Sequence, residues 1–249
     1  MTKQYPIIGD IGYKFPKLHR CDHESYSPID ISHRLHPVWK EFFTQNDLAI
    51  NEILRWSYVE AYNKGYDIRP SPQDVLNVFS MSPDAIRVVL VGQDPYPQEG
   101  VANGFAFATN QSTITSSLER LFSCIGGIRH KEDDYTLRGW IRQGVFLLNK
   151  TPILWVSVRT KEKSVIDVDP KLTDQLTAKW NGVIRTVCLF IAGYGDKKTD
   201  FVLFGEKAKS LKTDLPKAIL CGHPSGRNTG NAFDGKCFEL LPHIEWRDA

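Results

Sequence analysis

The sequence predicts an α/β protein: a single domain with a central four-stranded parallel sheet and helices on both faces. Two observations carry that reading. Four short apolar runs, "IRVVLVG" (86–92), "GVFLLN" (144–149), "DFVLFG" (200–205) and "AILCG" (218–222), each end in a polar or glycine-containing turn. Runs this short, without apolar–polar alternation, suit strands buried on both faces, as in a parallel sheet. The segments between them carry helical periodicity, and strands that alternate with helices specify parallel crossovers.

Taken in order, residues 1–34 read as an irregular leader, with Pro6, Pro16 and Pro28, several glycines and no sustained period. The domain is expected over 35–249. From Pro37 the pattern turns amphipathic, with Trp39, Phe42, Phe43, Leu48, Ile50, Ile53 and Leu54 at helical spacing. "RPSPQDVLNVF" (69–79) reads as a loop and then a short helix opening near Ser71, with Pro72 in its first turn. The first strand follows. "SSLERLFSCIG" (116–126) puts Leu118, Leu121, Phe122 and Ile125 on one helical face, between serine and glycine. "KLTDQLTAKWNGVIRTVCLFIAG" (171–193) spaces Leu172, Leu176, Trp180, Ile184, Val187 and Ile191 as a helix, although periodicity leaves its "VCLFIA" open as a strand. "EKAKSLK" (206–212) reads as a short basic helix between the last two strands.

Composition narrows the function classes. The chain has 249 residues, enough for one large domain, with 41% hydrophobic and 24% charged residues as in soluble globular proteins. A net charge of +2 does not by itself indicate nucleic acid, although lysines and arginines can concentrate on one face. No apolar run approaches the ~18–20 residues of a membrane span, and the N-terminus lacks the apolar core of a signal peptide. Five cysteines, Cys21, Cys124, Cys188, Cys221 and Cys237, are widely separated and form no CxxC pair. That usage fits a reducing, intracellular compartment, either cytoplasm or nucleus. "HRCDHE" brings His19, Cys21 and His23 together, but no second ligand cluster accompanies it, so a polar surface turn is preferred and no metal is expected.

In an open parallel sheet the ligand sits beyond the carboxyl ends of the strands. There the sequence places Gln93-Asp94-Pro95-Tyr96, Asn149, Gly205-Glu206 and Gly222-His223-Pro224-Ser225. Each residue has two readings. The Asn149 amide has donors and an acceptor and can read a base edge, or it caps a turn. His223 can donate to a developing oxyanion or satisfy a backbone carbonyl. Asp94 can orient a water and face a developing cation, or cap its own turn. Tyr96, between two prolines, is a steric wall or core packing, and Phe107 in "GFAFAT" (104–109) stacks on a flat ligand or sits in the core. No GxSxG elbow, GxGxxG turn or phosphate loop is present. What remains is a site without metal or cofactor, able to recognise a planar heterocycle and tolerate charge separation.

"GQDPYP", "GFAFAT", "GVFLLN" and "HPSGRN", with "SSLERL", "LRGWIRQGVFLLN" and "HIEW", resemble family 1 uracil-DNA glycosylases over roughly residues 68–247. The resemblance implies a monofunctional glycosylase that releases uracil from DNA by hydrolysing the N-glycosidic bond, leaving an abasic site for base-excision repair. It implies that Asp94 positions the water and stabilises a cationic sugar, and that Tyr96 closes the space beside C5. It also implies that Phe107 stacks on the base, Asn149 pairs with N3–H and O4, His223 donates to O2, and Gln93 shapes the pocket through its backbone. The base must leave the helix for this to happen. Ser117, Ser225 and Arg227 are implied at the DNA. The partner is uracil-containing DNA, single- or double-stranded, and replication or repair proteins are compatible further partners.

The sequence departs from the family pattern where DNA would be gripped. Pro97 replaces the usual histidine, as in poxvirus members. Arg227 stands where a leucine usually wedges into the stack, and "HPSGRN" is closer to the single-strand-selective enzymes. Gly205-Glu206 places a carboxylate where a phosphate contact is usual. These departures keep open an alternative: a catalytically weak member acting mainly as a DNA-binding or polymerase-associated factor.

Overall fold

In the computed structural model, which describes residues 34–45, 47–127, 135–159, 164–166, 170–196, 198–225 and 233–249, the four apolar runs form one sheet. Its strands are β2 (Val88–Gly92), β3 (Val145–Asn149), β6 (Asp200–Phe204) and β7 (Ile219–Cys221), in the order β3-β2-β6-β7. All three pairings are parallel, and Gly92 lies opposite Asn149. A second sheet is antiparallel, with β1 (Asp67–Arg69), β4 (Leu154–Arg159) and β5 (Ser164–Ile166) in the order β1-β4-β5. Those short, polar-containing strands carry no clear sequence pattern.

Strands β2, β3 and β6 bury both faces, which is why their sequences do not alternate, whereas the edge strand β7 exposes Leu220. Val89, Val91, Phe146, Leu148, Phe201 and Leu203 face one apolar cluster; Val88, Leu90, Val145, Leu147, Val202 and Phe204 face the other. Helices α1 (Pro37–Gln45), α2 (Asp47–Lys64) and α5 (Pro170–Gly193) cover the first face with Trp39, Phe42, Ile53, Trp180 and Ile184. Helices α3 (Ser116–Cys124), α4 (Arg138–Arg142) and α7 (Lys236–Glu239) cover the second with Leu118, Leu121, Trp140 and Phe238. The segment "VCLFIA" is helical, as the last two turns of α5. The expected helix near Ser71 is a single 3-10 turn, Pro72–Asp74, and the basic segment is α6 (Gly205–Lys209) followed by a 3-10 turn.

Among the described residues no helix is long and apolar enough to cross a membrane, and no cluster of metal-ligating side chains occurs. Residues 1–33, with His19, Cys21 and His23, lie outside the described residues, as does Arg227.

Candidate active site

The chain runs from β2 to β3 on one side, then crosses back to β6 on the other. The carboxyl ends of these strands therefore border the crevice in which such sheets bind ligands. Gly92 ends β2 and lacks the side chain that would fill this crevice. A Cβ there would stand 3.0 Å from Asn149 Oδ1, 3.2 Å from Ala106 Cβ and 3.3 Å from Phe107 Cζ. The glycine thus lets the Asn149 amide and the Phe107 ring approach the same point. Asn149 is 6% exposed, and among the described residues no hydrogen bond engages its amide. The ladder continues past it, since the N–H groups of Lys150 and Thr151 donate to the carbonyls of Gly92 and Gln93 at 3.0 Å each.

Phe107 has φ 66°, a left-handed conformation that costs an L-residue ~1–2 kcal/mol. Its neighbours hold it there. The Ala106 N–H donates to Leu147 O at 2.9 Å, and the Tyr96 hydroxyl donates to Phe107 O at 2.8 Å. The ring packs edge-on against Phe204, with centroids 5.1 Å apart, and lies 6.2 Å from the His223 ring. Thr115 completes the support. Its Oγ1 donates to the Tyr96 hydroxyl at 2.8 Å and accepts the Leu118 N–H at 3.3 Å, capping α3. Tyr96 is therefore fixed at its tip by a donor and an acceptor, and burial pushes its phenol up to about 12, with the Thr115 hydrogen bond opposing. Its other end is fixed by the turn: Pro95 is buried, and the Pro97 carbonyl accepts from Arg69 Nε at 3.2 Å.

His223 follows β7 and rests on Gly205, which has φ 76° and where a Cβ would meet His223 Cβ at 3.0 Å. The backbone N–H of Ser225 donates to His223 Nδ1 at 3.1 Å, and the Ser225 hydroxyl lies 2.9 Å from the same atom. Because a backbone N–H can only donate, Nδ1 is an acceptor, and the ring proton sits on Nε2. Burial lowers the His223 pKa and the Asp94 charge opposes it, with burial the larger effect. The imidazole is thus neutral at pH 7, with an N–H to offer.

Asp94 is partly exposed beside this histidine. Gln93 Nε2 donates to Asp94 Oδ2 at 2.9 Å, and Lys207 Nζ lies 3.9 Å from the same oxygen. The structure thus assembles Gln93, Asp94, Tyr96, Phe107, Asn149 and His223 at one end of one sheet. Ser225 is turned onto His223, and Ser117 sits in the first turn of α3. Glu206, the carboxylate that stood in place of a phosphate contact, is paired with Lys209 at 2.7 Å. Three contributors were missed from sequence: Arg69, Thr115 and Lys207. Only Thr115 had a local signal, as a threonine ahead of an amphipathic run.

A sequence model of the Uracil DNA glycosylase superfamily matches residues 79–241, which contain all six of these residues. The chain belongs to that superfamily. It is 32% identical to a uracil-DNA glycosylase of Parafrankia sp. (strain EAN1pec) over 69% of this chain and 72% of the relative. It is 30% identical to one of Caenorhabditis elegans over 71% of this chain, and spans 61% of that relative's length, under two thirds. The fold resembles the crystal structure of mimivirus uracil-DNA glycosylase, with TM-score 0.63 at 21% identity, covering 83% of this chain and 75% of that one. The wild-type UNG structure from Nitratifractor salsuginis matches with TM-score 0.58 at 18% identity over 89% of this chain and 98% of that one. Membership of the superfamily supports hydrolase activity in general and DNA as the substrate.

Proposed function

We propose that the protein is a monofunctional uracil-DNA glycosylase that releases uracil from a flipped-out deoxyuridine and leaves an abasic site. The observation that carries this reading is the Asn149 amide, without a hydrogen bond among the described residues, close to the Phe107 ring over the bare backbone of Gly92. That slot is flat and apolar on one wall, with donors and an acceptor at its end. It suits a pyrimidine stacked on Phe107, with its N3–H and O4 on Asn149. Cytosine presents the opposite pattern there and is refused. Tyr96, immobilised at its tip, stands as the wall against a C5 methyl.

The chemistry follows from the same groups. As the glycosidic bond lengthens, negative charge collects on the base and positive charge on the sugar. His223 Nε2–H donates to uracil O2. A neutral donor serves here, because the ring need not be protonated to stabilise the departing anion. The Asp94 carboxylate faces the sugar cation and orients the water that adds to C1′. Uracil leaves with the bonding pair; the water that adds to C1′ gives up one proton, and the uracil anion takes up one, both through solvent. Ser117, Ser225 and Arg227 are proposed at the DNA. Arg227 would stack its guanidinium on the bases neighbouring the flipped nucleotide or meet a phosphate, and its removal should then lower excision from duplex more than from single strand. The cellular site is proposed to be intracellular, cytoplasm or nucleus.

The test is incubation with uracil-containing single- and double-stranded oligonucleotides in excess chelator, followed by assay for free uracil. Release of uracil, with alkali-labile abasic sites, supports the proposal. Tight DNA binding without release would favour the DNA-docking alternative.

A further inference from the structure

We infer that Lys207 is a positioning residue for Asp94, its ion pair acting with the Gln93 hydrogen bond as a clamp on one carboxylate oxygen. The inference rests on the reading of Asp94 given above. Both groups meet Oδ2: the Gln93 amide at 2.9 Å and the Lys207 ammonium at 3.9 Å. Among the described residues no hydrogen bond falls on Oδ1. A carboxylate turns readily about its last torsion, and its two oxygens are equivalent until something distinguishes them. Holding Oδ2 leaves Oδ1 as the oxygen presented to a water or a sugar. Without the clamp the carboxylate would sample orientations in which neither oxygen is aimed.

The mounting of Lys207 fits this role. It lies on α6, which opens at Gly205, the residue on which His223 rests. One turn thus carries the support of the oxyanion donor and the cation that faces the carboxylate. The other lysine of α6, Lys209, is paired with Glu206 at 2.7 Å. The Lys207 side chain is 43% exposed and reaches Asp94 from the rim. Its removal therefore leaves no hole in the core. The loss expected from a half-exposed ion pair is up to about fivefold in rate. The Gln93 hydrogen bond to a charged acceptor is worth more, about 10- to 100-fold.

The test uses the full chain and single-turnover release of uracil from a labelled oligonucleotide at saturating enzyme, with DNA affinity measured separately across salt. Lys207→Met is expected to slow the chemical step up to about fivefold, with DNA affinity and its salt dependence unchanged, and Lys207→Arg is expected to restore the rate. Gln93→Leu should slow it further. In an Asp94→Ala background, where no oxygen remains to hold, neither substitution should have any further effect. A Lys207→Met loss of the same size in that background overturns the clamp while leaving the role of Asp94 intact. A loss confined to affinity, with the salt slope reduced by about one, also overturns it and makes Lys207 a phosphate contact. If Asp94→Ala itself keeps the parent rate, the reading of Asp94 fails and the clamp fails with it.

Discussion

Among the described residues no hydrogen bond engages the Asn149 amide, although the residue is buried, so its donors and acceptor are available to a ligand. Asn149→Asp should therefore shift base choice. A protonated carboxyl offers cytosine an acceptor and a donor, while uracil excision should fall by on the order of 10⁴, read by competing uracil and cytosine oligonucleotides in one assay. Tyr96 makes two separable contributions. Tyr96→Ala removes the ring and should admit thymine, detected as thymine release from duplex. Tyr96→Phe keeps the ring, so thymine stays refused. It leaves the Phe107 carbonyl and the Thr115 hydroxyl short of a partner and should lower stability by about 1–3 kcal/mol in urea unfolding. His223 is held below the ordinary histidine value of 6.5 by burial. The unfolded chain therefore takes the proton first as the pH falls. The stability contributed by neutral His223 is complete above 6.5 and is lost as the pH drops through its lower folded value. Nitrogen-detected NMR of the ring at pH 6.5 should show more neutral than charged imidazole, with the proton of the neutral form on Nε2. A predominantly doubly protonated ring at that pH would remove the neutral donor from the mechanism. His223→Ala should cost ~10²–10³ in the chemical step, with little change in DNA affinity.

Asn149 ends a strand, His223 follows one closely, and Tyr96 and Phe107 lie in the loop between β2 and α3, so the elements on either side decide the geometry. Gly92→Ala tests this, because its Cβ would press on Asn149 Oδ1 and Phe107 Cζ at 3.0 and 3.3 Å. Each neighbour must yield by a few tenths of an ångström. The expected result is about a tenfold slower release of uracil with a nearly unchanged urea midpoint, since misplacement of this order weighs on rate before stability. The elements themselves were largely readable in the sequence. Three of the four parallel strands stand out because burial on both faces removes alternation, the edge strand β7 stands out as a short apolar run, and their carboxyl ends point to Asp94, Asn149 and His223. The end of α5 was ambiguous because "VCLFIA" is apolar on every side, as a buried helix and a buried strand both are. The antiparallel sheet was illegible because strands such as "DIR" and "SVI" are three residues long, too short to show a period. The left-handed Phe107 was illegible for another reason. Glycine advertises a positive φ, but a phenylalanine held in one by the Tyr96 hydroxyl on its carbonyl and by the Ala106 N–H on Leu147 O leaves no local mark. Lys207 was missed because its pairing with Asp94 joins the ends of two different strands.

Across the described residues the sheet separates two apolar cores, and Phe107, the ring proposed to stack on the base, belongs to only one of them. A run of aromatic contacts leads from the C-terminal segment to the site: Trp246 to Phe238 at 4.7 Å, Phe238 to Phe204 at 6.4 Å, and Phe204 to Phe107 at 5.1 Å. Trp246 is anchored there. Its indole N–H reaches the carbonyls of Phe238 and Leu241 at 3.1 and 3.2 Å, and its own carbonyl accepts from Trp140 Nε1 at 2.7 Å. The opposite core has a similar cluster, with Phe79 against Trp39 at 5.0 Å and Phe43 at 4.9 Å, but Phe107 is not part of it. A matched pair of substitutions separates stability from function. Phe238→Leu and Phe79→Leu each remove part of a buried ring, and each should cost about 1–3 kcal/mol, since leucine fills most of the space but not the edge contacts. At 25 °C, well below either unfolding transition, Phe79→Leu should release uracil at the parent rate. Phe238→Leu should be slower by a few-fold, because Phe204 can relax toward the vacated space and Phe107 loses part of its backing. The measurements are urea midpoints and single-turnover rates on the same preparations. Equal stability losses with unequal rates would show that the second core sets the stacking surface. Equal rates would mean that the hydrogen bonds at Ala106 and Tyr96 hold Phe107 without help from the rings behind it.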